Sequence, residues 1–381
     1  MGLTAPNGVR LALDMRNAMQ NSFEDFMRVR YWPQLDGLRT ISIFLVLVVH
    51  MGDSWWIPYN GALAVVLFFV ISGYLITSLL IREERRNNRV SLKAFYIRRL
   101  FRIAPLYYVA LAITTILAAG FGLGAGSDGF LNRLPLLATF NGDLAATGTF
   151  VHSWSIGVEE KFYILWPIVG FASIWLRNHR GLLLTWLLPI VAIAAYIPKT
   201  AYIGVYTGVI AGCLVAVALH NPRGFAVIAK FSNRTVSTLF IAIAIMAFII
   251  DFELPASGLA HVPFAVATAL SFPGIVLGNG WVAPVLTWRP LVFIGTRTYG
   301  IYLFHPLCID VVSLVIPAGQ GEGGPSLFRL AAAGLLSYCV AEILSRILEQ
   351  PMIGLGRKIS GRVTRPQDPS GTTDEAAALV K

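Results

Sequence analysis

Apolar runs of about 20 residues, each long enough to cross a hydrocarbon core of ~30 Å, recur along the whole of this 381-residue chain. Reading them between polar breaks gives ten candidate spans: 36–55, 61–81, 103–121, 151–176, 182–198, 203–220, 235–251, 260–279, 293–316 and 327–349. Backbone polar groups in lipid must be satisfied within the segment, which a helix does. Only 13% of the residues are charged and 56% are hydrophobic, where a soluble domain carries about 25% charge. That balance excludes a soluble enzyme, a secreted domain and a disordered chain. The expected fold is all-α, a polytopic bundle of about ten transmembrane helices.

The charges set the expected direction. The chain has 30 Lys and Arg against 20 Asp and Glu, a net charge of +10. With ten spans, Arg133, Lys199 and Arg329 fall on one side and Lys161 falls inside the fourth span; the other basic residues share the opposite side. This is the positive-inside pattern, and it places both termini in the cytoplasm. Topology accounts for the basic excess, so no nucleic-acid partner is expected. The segment from Arg82 to Arg102 reads as the one substantial cytoplasmic connection. Its basic residues serve either retention against anionic headgroups or docking of a polyanionic cofactor.

The organisation expected is a cytoplasmic N-terminal segment (1–34) without a cleavable signal, a membrane domain (35–350) and a cytoplasmic tail (351–381). The tail's Pro, Ser, Gly, Thr and Asp content predicts disorder. Cys213, Cys308 and Cys339 each lie in an apolar run without metal-ligand spacing, so neither a disulfide nor a metal site is expected.

Ionisable groups inside a bilayer cost at least about 2.5–3.5 kcal/mol at a helix centre, so they collect where they face a polar interior. Three clusters qualify. Arg39 and His50 are 11 residues apart, which on a helix puts them on one face, about 16 Å apart along the axis. Offsets of three and seven put His152, Ser155 and Glu159 on a second face, with Glu160 and Lys161 at its sides. His305 precedes Pro306, a residue that kinks a helix. Arg99 and Arg102 lie just before the third span, where guanidinium groups can chelate phosphate. A topological arginine, a hydrogen-bonded core histidine or an interhelical polar network would leave the same residues.

Together these residues resemble the family-3 membrane acyltransferases over about residues 31–350. The most specific element is Arg-x10-His, met by Arg39 and His50 after Leu35-Asp36-Gly37-Leu38. Supporting it, in order, are Phe68-Phe69-Val70-Ile71-Ser72-Gly73-Tyr74-Leu75, Arg99-x-x-Arg102-Ile-Ala-Pro, Trp154-Ser155-x3-Glu159-x2-Phe162-Tyr163 and Tyr302-Leu303-x-His305-Pro306. The chain resembles single-module members, without the C-terminal hydrolase-like domain that others carry.

The resemblance implies O-acylation of a hydroxyl on a carbohydrate, lipid-linked glycan or related small molecule, with cytoplasmic acyl-CoA (usually acetyl-CoA) as donor, no metal, and residence in the cell membrane among its lipids. Homo-oligomerisation stays open. On this reading Arg39, Arg99 and Arg102 dock the nucleotide phosphates. His50 acts as general base or forms a transient acyl intermediate, Glu159 orients an imidazole, and Ser155 positions the acceptor or stabilises the oxyanion. His152, His305, Ser72 and Tyr302 complete the expected site. The alternative is a proton-coupled glycan or small-molecule transporter, which also buries His, Glu and Arg.

Overall fold

The computed structural model describes residues 22–51, 61–124, 127, 129–145, 147–197, 201–253, 261–278, 281–316 and 327–364. Sixteen helices account for nearly all of them. The first half holds α1 (Ser22–Arg28), α2 (Pro33–His50), α3 (Gly61–Asn87), α4 (Leu92–Thr115), α5 (Phe130–Ala138), α6 (Trp154–Phe171), α7 (Ile174–Ala195) and α8 (Tyr206–Leu219). The second holds α9 (Pro222–Phe231), α10 (Arg234–Glu253), α11 (His261–Val276), α12 (Val282–Leu286) and α13 (Arg289–Gly295). It ends with α14 (Thr298–Val315), α15 (Leu327–Leu344) and α16 (Gln350–Thr364), the last two joined by a π turn at Ser345–Glu349. No strand occurs among the described residues.

The ten expected spans overlap α2, α3, α4, α6, α7, α8, α10, α11, α14 and α15, but not one to one: 151–176 also takes in the 3-10 turn before α6 and the start of α7, and 293–316 takes in the end of α13. Five helices are long and apolar enough to cross a membrane, or seven if the bent pairs α1–α2 and α8–α9 each count as one. α6 carries Glu159, Glu160 and Lys161, and α10 and α11 have shorter apolar stretches. Large apolar side chains such as Trp186, Ile190 and Ile193 on α7 stand exposed, as expected where the neighbour is lipid.

Two expectations are corrected. The basic segment Arg82–Arg102 is not a loop, because α3 runs to Asn87 and α4 starts at Leu92. Residue 88 turns with φ 57°, and Ser91 caps α4 by accepting the Ala94 N–H at 3.3 Å. The Glu83 carboxylate closes the turn, accepting from the Ser91 N–H at 3.0 Å and from Arg98 at 2.9 Å. The second correction concerns the tail: residues 351–364, expected to be disordered, are helical and packed on α4. Gly356 makes the close approach, since a Cβ there would stand 2.7 Å from the Phe101 Cβ. Residues 1–21 and 365–381 lie outside the described residues.

One end of the bundle gathers the start of α2, the end of α3, the start of α4 and all of α16, and with them Arg82, Arg85, Arg98, Arg99, Arg102 and Arg357. It is called the basic end below. The helices α3 and α8 cross closely, with Gly73 against the Val209 carbonyl and Gly212 against the Val70 carbonyl. Small residues let membrane helices touch backbone to backbone. Gly212→Val is therefore expected to lower the thermal unfolding midpoint of the detergent-purified protein, with overpacking costing about 1–3 kcal/mol or more. Gly354→Ala, where an added methyl group meets nothing within 4 Å, is expected to leave the midpoint unchanged or raise it.

Candidate functional site

A cavity of about 560 Å³ runs inward from the basic end between α2, α3, α4, α6, α14 and α16. Its mouth carries Arg39, Arg99, Arg102, Arg297 and Arg357; along its wall stand Ser72, Glu159, Glu160, Tyr163, Tyr299 and Glu349; Ser155 and Tyr302 lie deepest along their helices. Along α3 the lining extends from Val65 to Ile76, 11 residues or about 16 Å of helix.

Close packing of α2 places its polar first turns. A side chain at Gly37 would enter the Leu286 carbonyl, and one at Gly295 would enter the Asp36 carbonyl. Thr40 Oγ1 donates to the Leu291 carbonyl at 2.5 Å and ties the same helices together. On this clamped segment Asp36 accepts from Arg39 at 2.6 Å and from the Tyr31 hydroxyl at 2.6 Å. Tyr31 precedes α2, and desolvation with the Asp36 hydrogen bond pushes its phenol up to about 12. It stays protonated and donates.

The cations of the mouth differ in their partners. Arg39 pairs with Asp36, and Arg297 pairs with Glu342 at 2.5 Å. Arg99 lies over the rings of Phe95 and Tyr163, at 5.5 and 5.4 Å. Among the described residues, Arg99, Arg102 and Arg357 have no carboxylate within ion-pair distance. On the wall, Ser72 Oγ donates to Glu159 Oε1 at 2.5 Å, and Glu160 Oε1 is buried without a partner. Lys161 turns away and pairs with Asp143 at 2.6 Å.

Beyond Tyr302 lie three imidazoles. The rings of His50 and His305 meet edge to face at 4.8 Å, and those of His152 and His305 at 5.4 Å. Pro306 has no N–H for the carbonyl four residues back, that of Tyr302. His305 Nδ1 takes that carbonyl at 2.7 Å. Since a carbonyl only accepts, the proton sits on Nδ1 and Nε2 keeps its lone pair; Nε2 is buried without a partner. His50 Nδ1 donates to the Val46 carbonyl at 2.8 Å, which leaves its Nε2 lone pair available too. His50 is exposed at the end of α2, whereas His305 is fully buried.

Tyr302 joins the cavity to the imidazoles. Its hydroxyl accepts from Ser155 Oγ at 2.7 Å and donates to the His152 carbonyl at 2.6 Å, while its own carbonyl holds His305.

The sequence-derived site is thus divided between two places. Arg39, Ser72, Arg99, Arg102, Ser155, Glu159 and Tyr302 line the cavity, and His50, His152 and His305 form the cluster beyond it. His152 is not on the helix face that carries Ser155 and Glu159: it lies in the 3-10 turn Val151–Ser153, before α6 begins. Nor does Glu159 orient an imidazole, since its hydrogen bond comes from Ser72. Arg357 was missed because the chain after 350 reads as a polar tail, and Glu349 because it stands at the last residue of an expected span, where a carboxylate reads as its polar end. Their signal is the repeat Ser345, Glu349, Ile353, Arg357 at every fourth residue, continuing from α15.

The family model described as an acyltransferase domain, acyltransferase 3, matches residues 32–346. The chain is 26% identical to the peptidoglycan O-acetyltransferase OatA of Listeria monocytogenes over 366 residues, covering 85% of this chain and 56% of that protein. It is 26% identical to the putative peptidoglycan O-acetyltransferase YrhL of Bacillus subtilis, covering 88% of this chain and 57% of that one. With the putative O-acetyltransferase SAS0844 of Staphylococcus aureus it shares 27% identity, over 86% of this chain and 58% of the relative. The chain therefore spans just over half the length of these relatives. No solved structure matches it.

The tautomer assignment is open to measurement. Histidine-selective nitrogen NMR is expected to show His305 protonated at Nδ1. Pro306→Ala, which returns an N–H to the Tyr302 carbonyl, is expected to loosen that preference. An Nε2–H form of His305 in the unsubstituted protein would contradict the assignment.

Proposed function

The chain belongs to the acyltransferase 3 family, and on that premise we propose that it moves an acyl group, usually acetyl, from cytoplasmic acyl-CoA to a hydroxyl of a carbohydrate, lipid-linked glycan or related small molecule. One observation carries the reading: the cavity runs from a guanidinium-rich mouth to Tyr302, whose carbonyl holds His305 of the imidazole cluster beyond it. A transporter is no longer favoured, given the family. The names of the relatives, peptidoglycan O-acetyltransferases among them, support a cell-wall glycan as one acceptor class. Ten spans, cytoplasmic termini and the cell membrane as location belong to the same proposal, with the basic end inside.

The donor's phosphates rest on Arg39, Arg99 and Arg102, and its pantetheine arm lies along the wall of Ser72, Glu159 and Tyr163. The thioester reaches the inner end, where the Ser155 and Tyr302 hydroxyls can turn to its carbonyl oxygen as charge develops there. The acceptor approaches from the opposite end, where His50 is exposed. His50 Nε2 takes the hydroxyl proton as the oxygen attacks the thioester carbon. The C–S bond then breaks, and the proton passes to the leaving thiolate. His305 holds its ring against His50, and His152 backs His305.

Purified protein with labelled acyl-CoA and a glycan acceptor tests this directly. His50→Ala is expected to lower acyl transfer by about 10²–10⁴-fold while leaving donor binding in place. Arg39→Ala is expected to weaken donor binding about tenfold or more, the size of a lost charge-assisted contact. Full transfer by His50→Ala would end the general-base assignment, and unchanged donor affinity in Arg39→Ala would end the docking assignment.

A further inference from the structure

The buried stripe Ala333, Ser337, Ala341, Ser345 and Glu349 runs down α15 into the π turn with at most 6% exposure. A repeat of four drifts about 40° per step around a helix of ~3.6 residues per turn. The π turn takes in an extra residue and turns part of that drift back. Arg357, two further steps along, thereby comes round to line the cavity mouth. Gly356 seats this part of α16 on Phe101 of α4, so the guanidinium is carried by a packed helix.

The position is also set relative to the bilayer. Leu327–Val363 is one helix of 37 residues, about 55 Å long against a hydrocarbon core of ~30 Å. The core takes up only part of that length, and the polar part, α16, lies at the basic end, the side proposed above to face the cytoplasm. Arg357 is exposed there, and among the described residues it has no carboxylate partner. Arg99, half-buried, and Arg102, exposed, line the same mouth and also lack a carboxylate partner among the described residues. Three guanidinium groups at one mouth, none with a carboxylate at ion-pair distance among the described residues, favour a multiply charged anion.

We infer that Arg357 binds a phosphate of the donor's nucleotide, making α16 one wall of the donor site. This rests on the acyl-CoA reading above. The pantetheine arm carries no such phosphate, which separates the role of Arg357 from that of the cavity wall.

The experiment is calorimetric titration of the full chain in neutral-detergent micelles, without anionic lipid, using CoA and pantetheine as probes. Arg357→Ala is expected to weaken CoA binding three- to tenfold and to leave pantetheine binding unchanged. Lys358→Ala, at a neighbouring position that does not line the cavity, is expected to bind CoA as the parent does. Equal CoA affinity in Arg357→Ala and the parent overturns the inference and leaves the donor reading standing; Arg357 is then a headgroup contact. Parallel loss of CoA and pantetheine overturns it as structural damage. A parent protein that binds no CoA brings down the donor reading itself, and this inference with it.

Discussion

Charge inside a bilayer is costly unless the protein supplies a polar enclosure, and here the enclosure is one cavity built around the first turns of α2. Asp36, 5% exposed, takes both Arg39 and Tyr31. That arrangement holds because α2 sits backbone to backbone against α12 and α13, with no room for a side chain at Gly37 or Gly295. Were these helices spaced by ordinary side chains, the Asp36–Arg39 pair would move away from the mouth shared with Arg99 and Arg102. The polar contents of the cavity therefore depend on an apolar packing constraint one helix away.

Tyr302 carries the connection from the mouth to the imidazoles. Its hydroxyl bridges Ser155 and the His152 backbone, and its carbonyl, released by Pro306, fixes the tautomer of His305. A single helix turn thus ends the cavity and begins the histidine cluster. Proline serves here through the backbone group it leaves unsatisfied.

Much of this was legible in the sequence. The apolar periodicity located the helices, because lipid demands long, internally hydrogen-bonded segments. Arg39 and His50 both lie on α2, yet they meet different surroundings: one lines the cavity, the other packs on His305. Helix geometry misplaced His152, since the chain enters α6 through a 3-10 turn whose angular step differs. The stretch from Arg82 to Arg102 read as a loop because charge ends a hydrophobic run, whereas a helix continues past the hydrocarbon wherever its caps and ion pairs allow.

Composition and periodicity by themselves determined that this chain is an all-helical, multi-pass protein with polar residues concentrated in a few spans, since the solvent it must match is apolar. Tertiary structure decided which of those residues meet: Ser72 with Glu159, Ser155 with Tyr302, His50 with His305. It also drew Arg357 into the mouth. Local pattern reports a residue's place on its own helix, but its partners depend on crossing points set by glycine contacts, a proline and a π turn between segments far apart in the chain.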